Sequence, residues 1–284
     1  MTALRRAARS PQVLIGAGLV LTLMLLAALA PLIAPHDPQE QDLLATLLPP
    51  AFAGGDTGYP LGTDTLGRCV LSRLLYGTRI AMAVAVLGAA GAALLGTALG
   101  LLAGYAGGWL DAGISRVVDT WMAIPPVVFA LILLVGLGAG VDRVILAIVL
   151  IDWTRFCRII RAEARVAARR DWVTAARLQG FSHARTLASE VLPSVMPLVI
   201  TLVSLEMGIA VIVEAILSFV GVSVPAETPA WGVMLADART SMHQSPWGVA
   251  LPVLAIFAAV LGFNLLGDGL RRALDPRMTL RHAA

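Results

Sequence analysis

Four stretches of the chain carry no charged residue at all: Val13–Ala34, Ile80–Ala103, Thr120–Gly140 and Pro246–Gly267. Each is long enough for the ~20 residues that a helix needs to cross the hydrocarbon of a bilayer. Two further runs, Val141–Ile160 and Val191–Ser218, are mostly apolar and interrupted only by Asp152 and Arg155 in one and Glu206 and Glu214 in the other. A charged fraction of 14%, against about 25% in ordinary soluble domains, leaves too little polar surface to cover so many apolar segments in water. The runs therefore predict an all-α integral membrane protein with six transmembrane helices: one N-terminal helix and a five-helix core.

The first run follows Arg5, Arg6 and Arg9 and resembles a secretory signal, but a signal's apolar region is only about 7–15 residues long. The small-residue pattern Ala28-Leu29-Ala30 is followed by Pro31, a poor site for cleavage, so a retained first span is expected. Basic residues favour the cytoplasmic side of short membrane loops. With the N-terminus inside, fifteen arginines fall on the cytoplasmic side, seven of them between Arg158 and Arg185. Five fall outside (Arg68, Arg73, Arg79, Arg143 and Arg239), and Arg155 sits within a span. Both termini are expected on the cytoplasmic side of the membrane. The divisions that follow are 1–34, a first helix; 35–78, an outer segment; 79–277, a core of five spans with the inner loop at 161–193; and 278–284, a tail.

Several function classes drop out early. The chain has no Lys, so it contains no phosphate-binding loop of the type that needs a Lys on the β- and γ-phosphates. His36, His183, His243 and His282 share no ligand-like spacing, and no metal site is expected. Cys69 and Cys157 fall on opposite sides of the membrane in this threading, which excludes a disulfide between them. No Ser, His and acid constellation forms a triad pattern, and no enzyme site is found. The net charge of +3 reflects membrane topology rather than nucleic-acid binding.

The inner loop at 161–193 is the informative segment. Its first part, from Arg161 to Gly180, is rich in the helix formers Ala and Arg, and Gly180 is a natural stop because it accepts positive φ. Ser182 can cap a second short helix, and Pro193 punctuates the entry to the fifth span. Ala175 and Ala176, beside Arg177, form a small-residue ridge on a basic helix. That ridge suits docking into a partner's groove, or else the loop is a solvated basic surface near anionic lipid.

The string Thr174-Ala175-Ala176-x-x-x-Gly180, with Leu192-Pro193 twelve residues beyond the glycine, resembles the EAA loop of bacterial ABC-importer permeases. More of the chain resembles the C-type permeases of dipeptide, oligopeptide and nickel importers. The matching strings are Leu61-Gly-Thr-Asp-Thr-Leu-Gly-Arg68, Ala103-Gly-Tyr-Ala-Gly-Gly108, Glu214-Ala-Ile-Leu-Ser-Phe219, Trp231-Gly-Val-Met-Leu235, Asn264-Leu-Leu-Gly-Asp-Gly-Leu-Arg271 and Asp275-Pro276-Arg277. Thr174, Cys69 and Arg272 stand where an acidic residue is usual, so a salt bridge made by the loop's Glu is not implied here.

The resemblance implies a pore subunit coupled through Thr174, Ala175, Ala176, Arg177, Gly180, Leu192 and Pro193 to two separate cytosolic ATPases. It binds no cofactor itself; ATP and Mg are used by the ATPases. It implies a B-type permease as dimer partner and an extracytoplasmic binding protein as substrate donor. Di- or oligopeptide is the first expectation for substrate and nickel or a metal chelate the second. A secondary transporter would leave the loop unexplained, and a membrane enzyme lacks a catalytic cluster.

Charges at membrane depth usually face a cavity or a partner. Glu206 is a candidate for lining the passage, as are Glu214 and Trp153; alternatively both acids are hydrogen-bonded at a subunit interface. Asp152 and Arg155, at i and i+3, are expected to pair within their own helix. On the outer side, Thr63 or Asp64 is expected to cap an amphipathic helix over 62–76 with Leu66, Val70 and Leu74 on one stripe. Pro225, Pro229 and Trp231 mark a re-entrant or surface helix near the pore mouth.

Overall fold

The computed structural model describes residues 10–274, and every regular element among them is helical. The terminal arginines, the Asp275-Pro276-Arg277 string and the tail from 278 lie outside the described residues. Helix α1 (Pro11–Ile33) begins with proline at its first turn, where the missing N–H has no intrahelical partner to lose. Helix α2 (Val70–Ala106) follows a 36-residue connection and contains 37 residues. At 1.5 Å per residue it is ~55 Å long, well beyond the ~30 Å of hydrocarbon.

Two outer expectations are corrected here. The amphipathic helix over 62–76 does not form: residues 62–69 make a tight turn closed by a Thr63–Cys69 bridge, and helix starts only at Val70 and continues into the second span. Leu66 is exposed while Val70 is buried, so the expected stripe is interrupted. The segment around Trp231, expected as a re-entrant or surface helix, is α9 (Trp231–Ala238), and its burial overturns the surface alternative alone. Trp231 is 1% exposed, and its indole N–H donates to the Leu74 carbonyl at 3.1 Å.

The third span is also not one helix. Helix α3 (Gly108–Met122) and helix α4 (Pro126–Leu137) are bent by 84° at a short break that contains Pro125. Tandem prolines remove two N–H donors and push the preceding residue out of helical geometry. Helix α5 (Val141–Ala167) follows, then α6 (Asp171–Leu178) and α7 (His183–Thr186). A π-turn over Leu187–Val191 leads into α8 (Leu192–Phe219), and α10 (Trp247–Leu274) closes the order.

By length and apolar composition alone, α1, α2, the run from α7 through α8, and α10 can cross a membrane, and the bent α3–α4 pair supplies a fifth crossing if taken as one span. The sixth expected span is α5, whose charges keep it out of that set although it is the most extensive packing partner of α2. Three glycines explain this contact. A Cβ on Gly100 would fall 2.7 Å from the Cys157 carbonyl oxygen. One on Gly104 would fall 2.5 Å from that of Arg161, and one on Gly96 would collide with the Trp153 carbonyl. Spaced four apart, they let the two backbones touch, and van der Waals contact rather than water exclusion holds helices together in lipid. The spacing is visible in the sequence and points to this interface.

Candidate functional site

The loop between α5 and α8 starts where α5 stops at Ala167, earlier than the continuous helix expected from Arg161 to Gly180. Arg169 and Arg170 form a turn, and α6 restarts at Asp171. Gly180 has φ +88°, and the Phe181 N–H reaches back to the Ala176 carbonyl, so the α6 terminus closes as anticipated. The Ser182 hydroxyl accepts the Arg185 N–H at 3.3 Å and caps α7. Leu192 and Pro193 stand directly after the π-turn, so the missing Pro193 N–H falls where the helical hydrogen-bond pattern changes.

The alanine ridge is divided by the fold. Ala176 and Val173 turn inward, and Val173 packs with Leu101 of α2, Ile160 of α5, Val191 of the π-turn and Val195 of α8. Ala175, Thr174, Arg177 and Gly180 stay exposed, joined by Trp172 and Leu178, the latter 84% exposed. The outward face of α6 is thus small and apolar with arginine beside it, while its inward face is keyed into three spans. His183 of α7 sits against the end of α2, with its Nδ1 3.1 Å from the Tyr105 hydroxyl.

Above this loop, arginines on one face of α5 meet acids on α3. Arg158 contacts Asp119 at 2.8 Å, and Arg161 and Arg165 both bind Asp111. Hydrogen bonding from Arg161, more than any other influence, holds the Asp111 carboxyl below its ordinary range. Asp111 and Asp119 were not singled out from the sequence. Their spacing of eight leaves them about 80° apart around α3, and only the tertiary structure brings both against α5.

Midway along the spans, Arg155 does not simply close on its own helix. Its Nη2 lies 3.6 Å from Asp152, whereas its Nη1 donates to Glu206 of α8 at 2.9 Å. The expected intrahelical pair is therefore the weaker half of a three-residue cluster. Glu206 is 1% exposed, yet it lines a cavity of about 220 Å³ together with Arg155, Phe156, Leu202, Leu205 and Ile209. Glu214 is equally buried and accepts a hydrogen bond from Ser218 within α8. Trp153 is buried against Val118 and Cys157, with Trp121 edge-on at 6.1 Å. Cys69 and Cys157 are free and buried.

At the opposite end, Asp64 accepts the backbone N–H groups of Leu66 and Arg68, so it organises the turn instead of capping a helix. It also binds the guanidinium groups of Arg68 and Arg73. Both arginines reach Asp237 of α9 as well, at 2.7 and 3.0 Å. This box of two arginines and two aspartates fastens the outer segment to α9. Among the described residues, no group of three or more His, Cys, Asp or Glu side chains is arranged to hold a metal.

Residues 96–280 match the model of a family described as binding-protein-dependent transport system inner membrane component. Residues 2–50 match the N-terminal transmembrane domain of oligopeptide transport permease C. The chain is 39% identical over 266 residues to a dipeptide transport system permease protein of Haemophilus influenzae, covering 93% of this chain and 90% of the relative. It is 38% identical over 260 residues to a di/tripeptide transport system permease protein of Pseudomonas aeruginosa, covering 91% and 86%. It is 36% identical over 249 residues to a nickel transport system permease protein of Escherichia coli, covering 88% of each.

Proposed function

The chain belongs to the family of binding-protein-dependent transport system inner membrane components, and from that premise we propose that it forms half of a passage for di- or oligopeptides. It is a multi-pass inner-membrane permease of an ABC importer, with ATPase and substrate-binding functions on other chains. The finer reading is a heterodimer with a B-type permease, driven by two cytosolic ATPases that use ATP and Mg and fed by an extracytoplasmic binding protein. The observation that carries the peptide reading is the identity of 38–39%, over more than nine-tenths of the chain, to permeases named for dipeptide and di/tripeptide transport. Nickel or a metal chelate is the second reading, supported by the relative named for nickel transport.

The α6 end, with its excess of arginine, faces the cytoplasm together with both termini. There the exposed face around Thr174, Ala175, Arg177 and Leu178 docks on an ATPase. The geometry of the loop supports a direct mechanical route. Force on that face passes through Val173 and Ala176 to the packed ends of α2, α5 and α8. Gly180 shapes the knuckle, and Leu192-Pro193 fixes its exit into α8. Closure of the ATPases then switches the paired permeases between inward and outward access. Glu206 borders the passage with Arg155, while Glu214 and Trp153 support its wall from within the chain.

The complete complex in proteoliposomes is expected to accumulate dialanine only with ATP and binding protein present. Leu178→Asp should cut that uptake ~10-fold or more by placing a charge in an apolar contact, while the variant still elutes as a folded complex. Uptake without any ATPase, or full ATP-driven uptake by Leu178→Asp, would overturn the coupling assignment. Nickel uptake in place of dialanine would move the substrate to the second reading.

A further inference from the structure

The cluster at mid-depth has an unusual balance. Arg155 lies ~21 Å along α5, and Glu206 lies ~21 Å along α8 from the other side, so both sit near the middle of their spans. One guanidinium serves two carboxylates there, Asp152 and Glu206. Glu206 Oε2 takes the hydrogen bond from Arg155, but Oε1 is buried with no hydrogen-bond partner among the described residues. A purely structural pair would satisfy both oxygens, because an idle buried acceptor gives up its hydration and gains no hydrogen bond in return. The side chain of Arg155 is 41% exposed, and a half-exposed charge at this depth faces a wet passage or a partner, not lipid.

The surroundings are of the opposite character. On one flank lies the cavity lined by Phe156, Leu202, Leu205 and Ile209. On the other, Arg155 and Asp152 border a second cavity walled by Trp121, Pro126 and Phe129. A charged anchor therefore stands between an apolar recess and a smaller one of mixed character, about 60 Å³, to which Thr154 also contributes. Arg155 has five N–H donors, only some of which face Glu206 and Asp152, so others can take a further carboxylate. The two acids, in turn, outnumber their one cation.

We infer that Asp152, Arg155 and Glu206 form a subsite for a short zwitterionic peptide, whose ammonium end docks on Glu206 Oε1 and Asp152 and whose carboxylate end docks on Arg155. A zwitterion brings one charge of each sign and leaves the net charge of the buried cluster unchanged. Its side chains fall into the two recesses, the larger of which offers shape without polar selection. The inference rests on the peptide reading of the passage and adds to it a place where both free termini are recognised within the membrane.

The test is binding of radiolabelled dialanine, with dialanine amide and N-acetyl-dialanine as competitors, to the complete permease–ATPase complex purified without its binding protein. Saturable binding is expected, with each blocked peptide at least ~10-fold weaker through loss of one charge-assisted contact. Arg155→Gln should erase the preference for a free carboxylate alone, and Glu206→Gln the preference for a free ammonium alone. Arg155→Lys should keep part of the carboxylate preference, which separates recognition from misfolding. No saturable binding, equal binding of all three peptides, or an equal loss of all three in each variant would overturn the subsite. Dialanine uptake in proteoliposomes without such binding removes the subsite and leaves peptide import standing. Nickel uptake without dialanine uptake removes the peptide reading and the subsite with it.

Discussion

At the α9 end of the helical core, two arginines meet two aspartates in a closed box, and Arg73 within it is 1% exposed. At the α6 end, Arg158, Arg161 and Arg165 of α5 share only Asp111 and Asp119 of α3, and the Arg158–Asp119 pair is 53% and 61% exposed. The difference follows from access to water. A buried guanidinium without a counter-charge is very unfavourable, so within this box two arginines are matched by two carboxylates. Where water reaches, surplus positive charge is screened and remains available to a partner. The α9 end is built as a latch that joins the Asp64 turn to a buried helix, whereas the α6 end keeps an exposed ion pair at its surface.

The contrast is most directly challenged by Arg73→Ala. Removing one member of a buried pair is expected to cost about 3–5 kcal/mol, read as a lower unfolding midpoint of the detergent-solubilised complex. A shift no larger than that of Arg158→Ala would dissolve the distinction between the two ends. Asp237→Asn keeps the shape but weakens two charge-assisted bonds, at about 1.5–3 kcal/mol for such contacts. Amide exchange should then rise in Trp231–Ala238 and residues 62–69 while α6 is unaffected.

Acid provides a graded probe of the other end. The Asp111 carboxyl is lowered in the folded protein, chiefly by its hydrogen bond from Arg161. Its contribution is therefore present above the unfolded value of about 3.9 and lost as pH falls through the lowered folded value. The α3–α5 contact should stay protected down to about pH 4 and loosen only below it. Asp111→Asn should remove that acid dependence, as read by exchange of α3 amides. The smallest effect belongs to Arg158→Ala, worth about 0.2–1 kcal/mol and reduced by salt. A larger, salt-insensitive loss would mean that this pair is desolvated in the complex.

Much of this molecule is legible from residue order. Apolar runs mark the spans, and the Thr174–Gly180 and Leu192-Pro193 strings fall in the loop between α5 and α8. Gly180, Ser182 and Pro193 take the roles their chemistry suggests, because caps and turns depend on neighbours a few residues away. Other features were less accessible. Leu66, Val70 and Leu74 have helical spacing, yet the Asp64 turn outcompetes helix before Val70 because it collects two backbone N–H groups and two guanidiniums. Pro125-Pro126 was in plain view inside the third apolar run, but the run's hydropathy concealed the bend.

What residue order settled alone is the solvent and the punctuation: segments of this length and apolarity belong in lipid, and short-range hydrogen bonding decides where helices begin and end. What required the tertiary structure is which charges face each other. Asp237 meets Arg73 across 164 residues of chain, Glu206 takes Arg155 away from its near neighbour Asp152, and Ala176 turns inward while Ala175 does not. Electrostatic partnership depends on distance and desolvation in three dimensions, and the close approach permitted by Gly96, Gly100 and Gly104 sets both for α5.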